Sequence, residues 1–148
     1  MLPISLTMAG VAALINMWLG IRCGQVRQSE KISVGDGGHP KLIARMRAQA
    51  NFIENVPLFL ILLVLVEMAL GGGDGTSHGP IWLWVVSGAF MLSRIAHGLG
   101  MDETWKPGRG VGIAITMLLL LGMAIYAIVI PHLPYAPPAQ TETVETVQ

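Results

Sequence analysis

The sequence predicts an all-α integral membrane protein, an up-down bundle of four transmembrane helices. Three observations carry that prediction. Of 148 residues, 53% are hydrophobic and only 12% are charged, where a soluble domain of this size carries about a quarter charged. The apolar residues fall into four runs, at 4–20, 56–70, 81–91 and 111–130. All nine Lys and Arg residues lie between the first and second runs or between the third and fourth.

A helix crosses the hydrocarbon core with about 20 mostly apolar residues. The first and fourth runs suffice alone; the second and third must draw in polar residues at one end, and those residues need partners inside the protein. The expected helices span about 3–23, 40–70, 80–101 and 109–131, in one domain of residues 1–132.

The first helix ends in "IRCGQVR", which brings Arg22 and Arg27 to one membrane face. It is not a cleaved signal peptide: it has no positive n-region, and its apolar run is too long. Cys23 reads as an ordinary thiol, with no second cysteine to pair with.

"DGGHP" (36–40) is a turn with a proline suited to the first position of the second helix. That helix runs on for about 31 residues, roughly 46 Å, against a core about 30 Å thick. Two or three turns must therefore stand outside the lipid. On them Arg47, Asn51 and Glu54 follow at i, i+4 and i+7 and share one stripe. Pro57 comes just after, where the helix enters lipid. Glu67, about 20 Å further on, is expected at the opposite interface in contact with water.

In the third helix "MLSRIAHGLGM" (91–101) sets Arg94, His97 and Met101 on one face. "KPGRGVG" opens the fourth helix and puts Arg109 at its mouth. Gly88, Gly98, Gly100, Gly110 and Gly112 read as sites of close helix contact. Residues 133–148, rich in Pro, Thr and acids, read as a flexible tail, with Pro131 ending the last helix. "GGGDG" has no following Gly-Lys-Ser/Thr and reads as a flexible outer turn rather than a phosphate loop.

The positive-inside rule places both basic loops in the cytoplasm and both termini outside. Up-down topology then gathers Arg27, Arg47, Asn51, Glu54, Arg94, His97 and Arg109 at one depth. Several arginines with one carboxylate and one amide suit a small anionic zwitterion, carboxylates to the arginines and an amine to Glu54. The residues alone also allow plainer roles. Glu54 and Arg47 can form a helix-end ion pair, and His97 can be structural. Arg22, Lys31, Lys41, Arg45 and Lys106 read as snorkelling anchors at lipid head groups. The four histidines share no metal-ligand spacing, so no structural zinc is expected, and nothing points to nucleic acid.

"RAQANFIENVPLF" (47–59) resembles the signature of the MAPEG family, membrane-associated proteins of eicosanoid and glutathione metabolism, in which R-x-x-x-N-x-x-E followed by Pro opens the second of four membrane helices. "GQVR" (24–27) is similar to the end of the first helix in prostaglandin E synthase members, and "SRIAHGLG" (93–100) to the third-helix R-x-x-H stretch. "GDGG" and "VEMALGGG" look most like small bacterial members.

The resemblance implies a homotrimer in the bacterial inner membrane, with glutathione held between neighbouring subunits near the cytoplasm. Arg27 and Arg47 would hold carboxylates, Asn51 and Gln49 would bond the peptide, and Glu54 would take the amine. Arg94 and His97 belong to the same binding set. Arg109 would be the catalytic residue that stabilises the thiolate, which would attack a lipophilic small molecule arriving from the bilayer. Eicosanoid members carry tyrosines where this chain has Asn55 and Met101, so a general glutathione transferase, with peroxidase activity as a variant, is the expected function. The alternative is a non-catalytic lipid-binding or scaffold protein of the same family.

Overall fold

The computed structural model describes residues 1–71, 78–102 and 104–133. The glycine-rich turn and the tail from residue 134 lie outside the described residues. Four helices, α1 (Pro3–Ser29), α2 (Pro40–Ala69), α3 (Ile81–Met101) and α4 (Gly108–Val129), are followed by one 3-10 turn, Ile130–His132. Pro3–Ser29, Pro40–Ala69 and Gly108–His132 are long and apolar enough to cross a membrane by themselves. The third helix carries Ser87, Ser93, Arg94 and His97 and turns all four inward.

Each helix buries a stripe at helical spacing. α1 turns in Ile4, Met8, Ala12, Ile15 and Leu19, and α2 turns in Phe52, Val56, Phe59, Leu63 and Val66. Phe59 stacks face to face on Phe90 of α3, with centroids 3.7 Å apart. α4 buries only Gly108, Gly112, Thr116 and Met123, and leaves Leu118, Leu121, Ile125 and Ile128 exposed. Such an outer face suits lipid and would be untenable in water.

α1 pairs mainly with α2, and α3 with α4. The α1–α2 pair is antiparallel: Ser5 meets Glu67 at one end, and Arg27 meets Met46 at the other. The end that holds Arg22, Arg45 and Arg109 is called the basic end below.

α1 is longer than its apolar run. It continues past residue 23 to Ser29 because Cys23 and Val26 extend its inward stripe and pack on Leu42 of α2. It is capped at Glu30 and followed by Lys31, whose φ of 55° is left-handed.

Glu67 is not in water. It is fully buried, and it accepts hydrogen bonds from Ile4 N (3.0 Å), Ser5 N (2.8 Å) and Ser5 Oγ (2.6 Å). Helix α1 has no acid in its first turn and no side-chain cap of its own. Its free N–H groups and the positive end of its dipole are met by a carboxylate borrowed from α2. Antiparallel pairing explains the burial, because it lays the last turns of α2 against the first turn of α1.

α3 and α4 meet backbone to backbone. A Cβ at Gly112 would stand 2.6 Å from Ser93 O, one at Gly100 would strike Arg109 N, and one at Gly108 would strike Ala96 O. Of the glycines expected to allow close contact, Gly88 and Gly110 face open space instead, while Gly108 joins the contact set. Between these glycines Ser93 Oγ and Thr116 Oγ1 lie 2.8 Å apart and share a hydrogen bond across the helices.

Candidate functional site

At the basic end, α2, α3 and α4 line a half-open cavity of about 250 Å³, formed by Arg47, Ala50, Asn51, Glu54, His97, Met101, Arg109 and Ile113. The stripe on α2 arises from helical periodicity: 47, 50, 51 and 54 fall within one turn-to-turn ridge. α3 adds His97 and Met101 one turn apart. α4 adds Arg109 from its first turn, so the positive end of that helix also points toward this end of the molecule. Glu54 and Arg109 are exposed and His97 is buried.

His97 Nδ1 lies 3.2 Å from the carbonyl oxygen of Arg109. A carbonyl only accepts, so Nδ1 carries the hydrogen and donates it. The contact ties the imidazole to the residue whose side chain lines the same cavity.

Arg94 sits behind the cavity rather than in its lining. It is 2% exposed, and its Nη1 donates to Asn51 Oδ1 at 3.0 Å. That bond spends the amide oxygen of Asn51 and leaves its NH₂ for other partners. Arg94 Nε and Nη2 are buried and have no hydrogen-bond partner among the described residues. Asn55 likewise turns inward and donates to the backbone carbonyl of Asn51 at 2.8 Å. Of the two positions where eicosanoid members carry tyrosine, Met101 therefore forms cavity wall and Asn55 does not.

Arg27 and Gln49 are not in this cavity. They line a second depression, about 460 Å³, between α1 and α2, with Gly20, Cys23, Gly24, Met46, Ala50 and Ile53. Gln49 is about 200° around the helix from Arg47 at 100° per residue, and Ala50 borders both spaces. Equal depth, which topology supplies, is not equal facing. Within one chain the seven residues expected together divide: Arg47, Asn51, Glu54, His97 and Arg109 converge, Arg94 supports them, and Arg27 faces the other way.

Two residues expected to anchor in head groups do something else. Arg22 is 7% exposed, lies over the Trp18 ring at 4.4 Å, and donates to Gly98 O at 3.2 Å. Its guanidinium also contacts Asp102. Arg45 binds the same carboxylate with two prongs, at 2.8 and 2.9 Å, and donates to the carbonyl of Arg22. Lys31, Lys41 and Lys106 are exposed, as anchors should be.

Asp102, at the C-terminal cap of α3, escaped the sequence reading. Its one signal was an acid placed level with a cluster of arginines. Burial works against its charge, but the hydrogen bonds and charges of Arg45 and Arg22 outweigh that and hold its carboxyl below the ordinary value. Among the described residues no group of three or more His, Cys, Asp or Glu forms a metal site.

Comparison with known proteins agrees with this architecture. A family model described as "MAPEG family" matches residues 5–129. Inner membrane protein YecN of Escherichia coli strain K12 is 25% identical over 123 residues, covering 82% of this chain and 88% of that protein. The protein of the same description from Escherichia coli O6:H1 matches to the same extent.

Proposed function

Because the chain belongs to the MAPEG family, we propose that it is an inner-membrane glutathione transferase that activates glutathione as its thiolate. The observation that carries this reading is the convergence of Arg47, Asn51, Glu54, His97 and Arg109 on one cavity at the end of long apolar helices. A water-soluble zwitterion and a membrane-dissolved electrophile can both reach such a place.

Each polar group has a task in this reading. Glu54 takes the glutathione amine, and Arg47 takes a carboxylate by a charge-assisted bond. Asn51, its oxygen engaged by Arg94, offers N–H groups to a peptide carbonyl. Arg109 and the first turn of α4 supply positive charge beside the sulfur, which favours thiolate over thiol. The thiol proton leaves to water. The sulfur electron pair then forms the bond to an electrophilic carbon; a leaving group departs with the displaced pair, or the oxygen of an opened ring stays on the product, keeps the pair and takes a proton from water.

A cavity of about 250 Å³ is small beside ordinary ligand sites of roughly 300–1,000 Å³. We read it as part of a larger site, completed in a homotrimer when the Arg27 and Gln49 face of one subunit meets the Glu54 and Arg109 face of the next. Both faces are open at the same level of α2, which supports that assembly. In this reading the basic end faces the cytoplasm, as in the charge rule.

The test is calorimetry of glutathione on detergent-purified protein, beside Glu54→Ala and Arg109→Ala, with ultraviolet absorbance reporting the thiolate. Heat in the wild type that is lost in Glu54→Ala supports the reading. Folded wild type that gives no heat at millimolar glutathione sinks it, and moves a non-catalytic lipid-binding role ahead.

A further inference from the structure

The proposed site leaves one buried cluster at the basic end unused. Two arginines, from two helices, share the single carboxylate that caps a third. Arg45 of α2 grips Asp102 with two hydrogen bonds, and Arg22 of α1 reaches the same group from over Trp18. The side chains of Arg22, Arg45 and Asp102 are 9%, 12% and 8% exposed, so this is not a loose surface pair. None of the three lines the cavity.

Asp102 caps the end of α3, and only a short turn separates it from α4. The two helices then touch closely at their glycines. Gly100 packs on the backbone nitrogen of Arg109, Gly108 on the carbonyl of Ala96, and His97 bonds the carbonyl of Arg109. The start of α4 therefore has little freedom relative to the end of α3. The shared carboxylate helps set the end of α3 against α1 and α2, together with the bond from Arg22 to Gly98 O, the packing of Gly98 on Leu19 and Trp18, and the bond from Arg94 to Asn51.

We propose that Asp102 is a positioning residue: by holding Arg22 and Arg45 at once it fixes the α3–α4 pair against α1 and α2, and so sets where Arg109 stands over the cavity. Arg47, Asn51 and Glu54 lie on α2 itself, and of these only Asn51 has a bond to α3, through Arg94. The functional consequence rests on the glutathione reading above. Loss of the clamp should spare most of the binding contacts and displace the one charge that faces the sulfur.

The experiment compares wild type, Asp102→Asn, Asp102→Glu and Arg45→Lys in detergent. Hydrogen exchange needs no ligand. In Asp102→Asn, amides at 109–113 should exchange at least about tenfold faster, while those at 4–12, at the other end, stay unchanged. Asp102→Glu, which keeps the charge, should fall between the two. With glutathione added, the apparent pKa of the bound thiol should rise by about one unit in Asp102→Asn, toward the Arg109→Ala value, with affinity changed less than about threefold.

Unchanged exchange at 109–113 in folded Asp102→Asn overturns the proposal. So does exchange that rises equally at both ends, which is the mark of plain destabilisation. If Asp102→Asn does not fold, the same pattern at smaller amplitude is required of Asp102→Glu and Arg45→Lys. If wild type binds no glutathione, the transferase reading fails, and the exchange pattern still decides the role of Asp102.

Discussion

At the scale of single residues, the cavity turns on charges that are few and differently supported. Glu54→Ala should weaken glutathione binding by about tenfold or more, the usual worth of a charge-assisted hydrogen bond, measured by calorimetry. Arg94 makes the opposite kind of prediction. Two of its buried nitrogens lack partners among the described residues, so an apolar residue of similar length removes an awkward charge from the interior. Arg94→Met should leave the melting temperature unchanged or higher, and lower glutathione affinity several-fold by freeing the Asn51 amide to turn. The stripe of Arg47, Asn51 and Glu54 was legible in the sequence because helical spacing alone puts residues four and seven apart on one face. Arg94 behind Asn51 was not legible as a support, because that depends on which way a side chain leaves α3. Arg22 and Arg45 were misread as anchors, since nothing along the chain shows that Asp102, more than fifty residues beyond Arg45, stands between them.

At the scale of the helices, stability sits in two joints. One is the cap that Glu67 lends to α1. Glu67→Ala would leave Ile4 N, Ser5 N and Ser5 Oγ without their acceptor, at a cost of about 2–4 kcal/mol. A lower melting temperature in detergent should report it, with Glu67→Gln in between. The other joint is the α3–α4 contact, where Gly112→Ala would drive a methyl group toward Ser93 O and His97 N. That overpacking should cost about 1–3 kcal/mol and should disturb His97 and Arg109 together. Four helices and their order could be read from apolar runs and prolines, but the last two turns of α1 could not. Hydropathy falls away after Gly20, while the packing stripe continues through Cys23 and Val26. The glycines were half legible: a run of them announces close approach, and only the rotation of each helix tells Gly108 and Gly112 from Gly110.

At the scale of the whole molecule, acid should loosen the basic end first. The carboxyl of Asp102 is held below its ordinary value in the folded protein, so the unfolded chain binds more protons than the folded one as pH falls. Its contribution is complete above the unfolded value, about pH 4, and is lost as pH drops through the lower folded value. Melting temperature followed from pH 7 downward should show an acid limb that is shallower in Asp102→Asn. The charge rule makes a prediction about orientation: alkaline phosphatase fused to the C-terminus should be active outside the cytoplasm, and a fusion in the loop between α1 and α2 inactive. That orientation rests on the sorting of nine basic residues into two loops, a pattern that needs no knowledge of packing, and the fusions are its test. The division of the polar residues between two faces of α2 was not legible in the sequence, since it needs the azimuth of every helix at once. The cap on α1 also bears on how such a chain is made. The carboxylate that completes the first turn of α1 is 62 and 63 residues downstream of the amides it serves. When a ribosome has delivered only the first helix to the translocon, those amides have no acceptor from the protein, and they gain one only after nearly all of the second helix has emerged. The unit that settles in the bilayer is then the hairpin of the first two helices, and a ribosome stalled before residue 67 should leave the nascent N-terminus open to protease.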